Sequence, residues 1–233
     1  ASVFADNWTA YGYGDLGSLD EQVRNTMIIT TFVFLGIEGA RMLGEILAQA
    51  PGIVALFAGG NEFGDEGARA LADGLRHNRT LRILGLSSNA IGPLGASSLA
   101  DALSDHPALV RLELGYLRAT TVLGVTPNTI GDAGMDSMAR LVSSAPMLAN
   151  LDLSGNGITA RGAAQLAEAL VRSRSLRTLN LGVSSPAELI SRINEVLCRN
   201  ANRGAKQLVV LADDLATIKS VYRTGGAKVT KAP

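Results

Sequence analysis

The chain has 233 residues, of which 47% are apolar and 18% are charged, with 21 basic and 21 acidic side chains. The absence of net charge argues against a nucleic-acid partner. The sequence also lacks a run of about 20 apolar residues, so no direct membrane span is predicted. The single cysteine, Cys198, excludes an internal disulfide, which favours an intracellular, reducing compartment, either the cytoplasm or an organelle interior. A charge-poor, neutral surface favours burial within a larger assembly.

Residues 1–24 are predicted to form an N-terminal cap. The segment Ser18-Leu19-Asp20-Glu21 has the pattern of a capping box, which predicts a helix running towards Met27. Such a cap would cover the first unit of a repeat array, whose core is otherwise open at its end. The sequence begins at Ala1 and not at Met, so a cleaved targeting peptide is compatible with it.

Repeats are predicted from residue 25 to residue 203. Units begin at Ile53, Leu81, Leu109, Leu148 and Leu176, which are 28, 28, 39 and 28 residues apart, and a degenerate unit from Asn25 brings the count to about six. One repeat position holds Asn61, Asn89, Asn128 and Asn156. A buried asparagine column is expected to satisfy backbone groups of the turns between units.

The repeat Leu-x-x-Leu-x-Leu-x-x-Asn-x-Ile-Gly-x-x-Gly-Ala resembles the leucine-rich-repeat family, in its ribonuclease-inhibitor-like class. The resemblance implies an α/β fold: a right-handed leucine-rich-repeat solenoid, with a parallel inner sheet and outer helices curved into a horseshoe arc. The residue spacing agrees, because the leucines of each unit place two side chains on one face of a short strand, and the following Leu and Ala residues form an apolar helical stripe.

The sheet face turned away from the helices, here the concave face, is the surface that this architecture commonly uses for binding. Its side chains are apolar or small in the first units and polar in the later ones, and the small residues have a second explanation, which is to relieve crowding on the inner curve. The predicted partner-binding residues of this face are Val54, Phe57, Arg82, Arg111, Glu113, Asp152 and Asn180. A short segment of a partner protein is the expected ligand, because six strands span only about 25 Å.

Eleven extra residues, 117–127, interrupt the third complete unit. They are mostly apolar and β-branched, which suits contact with a partner, while a tolerated surface loop is the alternative. The predicted contact residues in and beside this insertion are Tyr116, Arg118, Val122 and Leu123.

Residues 204–233 are predicted to form a C-terminal cap and a mobile basic tail. The segment Gln207-Leu208-Val209-Val210-Leu211 predicts a last strand, and Asp214 to Tyr222 a short helix. Every lysine lies in this part of the chain, where a basic arm or a solvated terminus is expected.

Catalytic signatures are missing, so the chain is not expected to be an enzyme, and no cofactor or metal is predicted. His77 and His106 are expected near helix C-termini as cations, without the neighbours that a metal site needs, and Cys198 is expected in the core. The resulting hypothesis is a non-catalytic interaction or scaffold protein, such as an accessory subunit that contacts one or several protein subunits of a larger complex.

Two alternatives stay open. One branch of the resembled family activates a small GTPase, and Arg118 or Asn89 would then supply the polar group, although this chain has about half the repeats of that branch and no acidic tail. The other alternative is the target-binding repeat region of a bacterial effector.

Overall fold

The computed structural model describes residues 27–29, 34–117, 124–183 and 186–204. Six three-residue strands form one parallel sheet in the order β1 to β6. The strands are β1 (Met27–Ile29), β2 (Ala55–Phe57), β3 (Ile83–Gly85), β4 (Arg111–Glu113), β5 (Asn150–Asp152) and β6 (Thr178–Asn180).

The register of the sheet follows the repeat. Ile28, Leu56, Leu84, Leu112, Leu151 and Leu179 stand side by side at the centres of the six strands. From β4 to β5 the chain takes 39 residues instead of 28, yet the two strands keep the same register. The extra residues therefore leave the sheet unchanged and add only to the connection.

A helix follows each strand. The helices are α1 (Gly36–Gln49), α2 (Gly64–Leu75), α3 (Pro93–Leu103), α4 (Met135–Ser144, after a 3₁₀ turn at Asp132–Gly134), α5 (Ala160–Leu170) and α6 (Ala187–Gly204). Each of the first five buries leucines or methionines spaced three or four residues apart, as an amphipathic helix on a sheet must. The predicted leucine-rich-repeat solenoid is confirmed.

One hydrophobic core lies between the sheet and the helices. The strand centres Leu56, Leu84 and Leu112 are 0% exposed and belong to the same cluster as the helix residues Leu71 and Leu99. The residues that flank these strand centres are not part of that cluster, which places them on the concave face.

Glycines let neighbouring helices approach very closely. A Cβ at Gly74 of α2 would lie only 2.0 Å from the carbonyl oxygen of Gly44 in α1. A Cβ at Gly95 of α3 would similarly lie 2.9 Å from the Cβ of Ala68. The helices therefore pack backbone against backbone. This close spacing lets one helix per unit cover a sheet whose strands are only three residues long.

The predicted asparagine column is confirmed, and each member connects two repeats. Nδ2 of Asn128 donates to the carbonyl oxygens of Leu86 and Leu114 at 3.0 and 2.9 Å. Its Oδ1 accepts from the backbone N–H groups of Asn89 and Ile91 at 2.8 and 2.9 Å. Such buried backbone groups would otherwise have no partner in the turns.

Two predictions differ from the structure, and three others concern residues that the structure does not describe. Cys198 is exposed on α6 and is not a core residue, because α6 instead packs the partly buried Ile193, Val196 and Leu197 against the core. His106 is buried, and burial and then the positive charge of Arg79 lower its pKa, so the neutral imidazole is favoured over the expected cation. The capping box, the strand at 207–211 and the basic tail lie outside the described residues.

Candidate functional site

The concave face carries two columns of side chains, one on each side of the strand centres. One column runs through Ala55, Ile83, Arg111, Asn150 and Thr178. The other runs through Phe57, Gly85, Glu113, Asp152 and Asn180. Both columns change from apolar to polar between β3 and β4, so the face has an apolar half and a polar half.

The apolar half is not open to a partner. Ala55, Phe57 and Ile83 are only 1%, 2% and 1% exposed. The ring of Phe57 lies against Gly85, where an added Cβ would stand 3.1 Å from its Cδ1 atom. Phe57, one of the predicted contact residues, is therefore a packed residue in this conformation.

Two other predicted contact residues flank the apolar half. Val54 and Arg82 are half-buried and occupy equivalent positions at the starts of β2 and β3. The carbonyl oxygen of Val54 accepts a hydrogen bond from the backbone N–H of Arg82 at 2.8 Å. Both residues thus take part in the pairing of the strand ends, and their side chains keep a limited exposed surface.

The polar half surrounds an open concavity of about 260 Å³. Its polar lining residues are Arg111, Glu113, Asn150, Asp152, Thr178 and Asn180. Arg111 and Glu113, two residues apart on one strand, form an ion pair at 3.4 Å. The Thr178 hydroxyl donates to Oδ1 of Asn150 at 2.5 Å. Several predicted residues, Arg111, Glu113, Asp152 and Asn180, are thus brought together in this concavity.

A carboxylate and a tyrosine stand where the polar half meets the loops. Oδ1 of Asp152 accepts from the backbone N–H of Ser154 at 2.9 Å, which fixes its direction. Tyr116 is 38% exposed, and a Cβ at Gly155, whose φ is +71°, would lie 2.6 Å from the Cβ of Tyr116. Only a glycine tolerates both that backbone conformation and that contact, so Tyr116 is held in place by the next repeat.

The insertion is attached to the solenoid at both ends. The backbone N–H of Leu117 donates to Oγ of Ser88 at 3.0 Å, and that of Thr126 donates to Oε1 of Glu62 at 2.5 Å. Glu62 lies two repeats before the insertion, so these bonds connect three units. The predicted contact residues Arg118, Val122 and Leu123 lie outside the described residues.

Two residues that the sequence prediction omitted complete the polar half. Asn150 and Thr178 lie in the same column as Arg111. Asn150 of β5 pairs with Arg111, and Thr178 of β6 pairs with Asn150. Their repeat position, the second x of Leu-x-x-Leu-x-Leu, is the signal that identifies them. Asn89, in contrast, is 0% exposed, and its side-chain amide accepts from the backbone N–H of Asn61 and donates to the carbonyl oxygen of Ala58, so it is not available to a GTPase.

The described residues contain no cluster of three or more His, Cys, Asp or Glu side chains that could hold a metal ion. Within the same residues, no helix has both the length and the apolar character that a membrane span requires. In the part of the chain that the structure describes, the pKa is shifted at His106 and Asp132, and both residues lie outside the concavity. The polar half therefore offers hydrogen bonds and ion pairs to a partner.

Comparisons with known proteins agree with this fold. A family model described as "Leucine Rich repeat" matches residues 59–72, 77–100 and 145–167. Among solved structures, the chain is similar to "Leiomodin-1 Actin-Binding Site 2 (ABS2)", with a TM-score of 0.57 and 15% identity over 77% of this chain and 95% of that chain. No curated protein matches the sequence. The fold is that of a leucine-rich-repeat protein, a fold that generally serves protein interaction.

Proposed function

We propose that this leucine-rich-repeat solenoid is a non-catalytic interaction protein that binds a protein partner with the polar half of its concave face. The observation that carries the proposal is the division of that face. Phe57 and Ile83 in the apolar half are at most 2% exposed, while Thr178 and Asn180 in the polar half are exposed around an open concavity. Only the second half can receive a partner without rearrangement.

The chemistry of the polar half suits an extended segment of a protein. Side-chain oxygens of Glu113, Asp152 and Asn180 stand on neighbouring strands and can accept hydrogen bonds from successive groups of such a segment. Tyr116 adds a partly exposed aromatic ring at the rim, and tyrosine is one of the residues that most often dominate the energy of an interface.

The repeat class, the role in an assembly and the contacts of the insertion are part of the same proposal. The 28-residue period, with one helix in every unit, supports the ribonuclease-inhibitor-like class. The low charge of the chain, with 18% charged residues, supports an accessory subunit within an intracellular assembly that contacts more than one neighbour. The predicted contacts of Arg118, Val122 and Leu123 would extend such an interface beyond the concave face.

The similar leiomodin-1 region is named as an actin-binding site, and the likeness of this chain to it, at 15% identity, concerns the fold. Asn89 is excluded as the residue that would act on a GTPase, because its side chain is buried in the asparagine column. Both activities can be measured directly, by co-sedimentation with filamentous actin and by GTP hydrolysis.

The test is isolation of the tagged full chain from its native cells, in the wild-type form and with Thr178→Arg or Asn180→Arg. Each variant places a long charged side chain at an exposed position of the polar half. Leu94→Arg is the matched control, because Leu94 is 73% exposed on α3, on the other side of the sheet. The proposal predicts partners that are lost with the first two variants and kept with the control.

The opposite pattern, partners that survive both concave variants, would refute the site. Acceleration of GTP hydrolysis by the purified chain, abolished by Thr178→Arg, would replace the scaffold with a GTPase regulator. Co-sedimentation with actin that is lost in the same variant would instead identify the partner class of the proposed site.

A further inference from the structure

One carboxylate of the polar half has no cation beside it. Arg111, Glu113 and Asp152 are the charged residues that line the concavity, which gives the lining one net negative charge. Nη1 of Arg111 lies 3.4 Å from Oε1 of Glu113, so these two charges offset each other. Among the residues that the structure describes, Asp152 takes part in no ion pair. The negative charge that the concavity offers to a partner is therefore that of Asp152.

The carboxylate of Asp152 is held in place at the end of β5. Its Oδ1 accepts from the backbone N–H of Ser154 at 2.9 Å, and an added Cβ at Gly115 would stand 2.7 Å from the same oxygen. Gly115 follows β4, so this oxygen lies against the preceding unit. Within the described part of the chain, Oδ2 has no hydrogen bond. Asp152 is half-buried, which strengthens any ion pair that Oδ2 makes with a partner.

An aromatic ring stands at the same junction of two units. Tyr116 follows Gly115, the glycine that the Asp152 carboxylate contacts, and it packs against Gly155 of the next unit. At 38% exposure this side chain is not part of the core. The equivalent repeat positions hold small or aliphatic residues, namely Gly60, Ser88, Gly155 and Val183. The repeat therefore requires no ring at this position, and Tyr116 is available to a partner.

Amide groups flank Asp152 on the sheet. Asn150 lies two residues before it on β5, and Asn180 is its partner on β6. Oδ1 of Asn150 accepts from the Thr178 hydroxyl at 2.5 Å, and Oδ1 of Asn180 accepts from the backbone N–H of Gly182 at 3.2 Å. These bonds leave the two Nδ2 groups to donate to carbonyl oxygens of a bound segment.

We propose that the partner segment carries an arginine, whose guanidinium binds between the carboxylate of Asp152 and the ring of Tyr116. This inference rests on the proposed function, because it names the chemistry that the polar half recognises. A guanidinium is planar, so it can donate to a carboxylate and also stack on an aromatic face. A segment without a cation would desolvate Asp152 further and leave its charge unpaired, which weakens binding.

The position of the arginine is confined to one part of the face. Glu113 is the neighbouring carboxylate, but it pairs with Arg111, and its Oε2 lies 3.6 Å from an added Cβ at Gly85, on the side of β3. Arg177 stands immediately before β6 and does not line the concavity. A second cation is therefore attracted to Asp152 and not to the Arg111–Glu113 pair.

The test is a selection from a phage-displayed library of short random peptides. They are selected on the full chain at physiological ionic strength, and peptides that also bind Asn180→Arg are removed. The proposal predicts an arginine at one recurrent position in the peptides that remain. A synthetic copy of one of them should bind Asp152→Asn about 10-fold more weakly or worse. Asparagine keeps an acceptor for the N–H of Ser154, so this variant retains the bond that holds the loop.

Asp105→Asn is the matched control, because it removes the same charge from an exposed residue after α3. It should leave the affinity of the peptide unchanged. Citrulline in place of the peptide's arginine keeps the shape and removes the charge, so it should weaken binding as much as Asp152→Asn does. The two changes together should weaken it little more than either one. Tyr116→Leu should also weaken binding, while Tyr116→Phe, which keeps the ring, should not.

The two proposals fail in different ways. Peptides that require the polar half but carry no arginine, or that bind Asp152→Asn as well as the wild type, would overturn this inference and leave the proposed function standing. A library that yields no peptide blocked by Asn180→Arg would overturn both.

Discussion

Oδ1 of Asn128 accepts a hydrogen bond from the backbone N–H of Asn89 at 2.8 Å, so the same position of two successive repeats is joined directly. The 39-residue unit between these asparagines is the one that carries the insertion, and the connection is kept there. The column of asparagines therefore holds the turns together where the chain is most irregular.

Replacing Asn128 with alanine should destabilise the protein by about 3 kcal/mol or more, because it leaves several buried backbone groups without partners. Urea unfolding measured by circular dichroism gives the free energy of unfolding. Asn202→Ala, at an exposed position of α6, is the control and should change it by less than about 0.5 kcal/mol. Equal stability of the two variants would show that the column is dispensable.

Gly74→Ala should weaken the packing of α1 against α2. The new Cβ would meet the carbonyl oxygen of Gly44 at 2.0 Å, and because both partners are backbone the helices must move apart. A loss of about 1–3 kcal/mol is expected from overpacking of this kind. Gly52→Ala has nothing within 4 Å of the added Cβ and should be neutral or slightly stabilising. A neutral Gly74→Ala would contradict the close approach of the helices.

Asp132 should stabilise the protein in a pH-dependent way. Hydrogen bonds from the hydroxyl and backbone N–H of Thr159 hold the pKa of this carboxyl below its ordinary value of 3.8. Its contribution is therefore complete above pH 3.8 and is lost as the pH falls through the lowered pKa. The melting temperature of Asp132→Asn should fall below that of the wild type at neutral pH, and the difference should shrink in acid.

Ala133→Asn is the control for this measurement, because it places the same side chain on the next, exposed residue. Its melting temperature should follow that of the wild type at every pH. A constant difference between Asp132→Asn and the wild type across the acid range would show that ionisation of Asp132 does not contribute.

His106 should make the protein sensitive to mild acid. Its Nδ1 accepts a hydrogen bond from the backbone N–H of Leu109 at 3.2 Å, a bond that only the neutral ring can accept. Burial lowers its pKa from 6.5, so its contribution is complete above pH 6.5 and declines as the pH falls through the lowered value. His106→Asn copies Asn78, whose Oδ1 accepts from Leu81 at 2.8 Å in the preceding repeat, and should remove this decline in melting temperature.

For His106, His77→Asn serves as the comparison, since His77 is exposed and its replacement removes an imidazole without removing the bond to Leu109. That variant should keep the acid sensitivity of the wild type. Loss of the sensitivity in His77→Asn, or its persistence in His106→Asn, would assign the effect to other groups.

The fold could be predicted from the sequence because it repeats. A position that recurs as Asn61, Asn89, Asn128 and Asn156 has the same surroundings in every unit, so one physical argument applies to all of them. The strand centres follow equally directly, since each of the five units from Ile53 onward places a leucine there. Even the insertion could be recognised as a break in the 28-residue period that leaves the register intact.

The repeat pattern predicts less of the candidate site than of the fold. The position of Phe57 on the concave face follows from the repeat, but its 2% exposure depends on contacts that the period does not encode. Burial of His106 and exposure of Cys198 are likewise properties of one unit and its neighbours. The polar half could be predicted as a set of residues, whereas the pairing of Arg111 with Glu113 emerged from the structure.

Site-specific photo-cross-linking tests the central claim most directly. A photoreactive phenylalanine analogue is placed at Asn180, or at Leu94 as the control on α3, and the full chain is irradiated in its native cells. The account predicts a covalent adduct with a distinct partner protein from position 180 and none of that species from position 94. Adducts with that partner from position 94 alone would show that it binds the helical side, and that the concave face is not the binding surface.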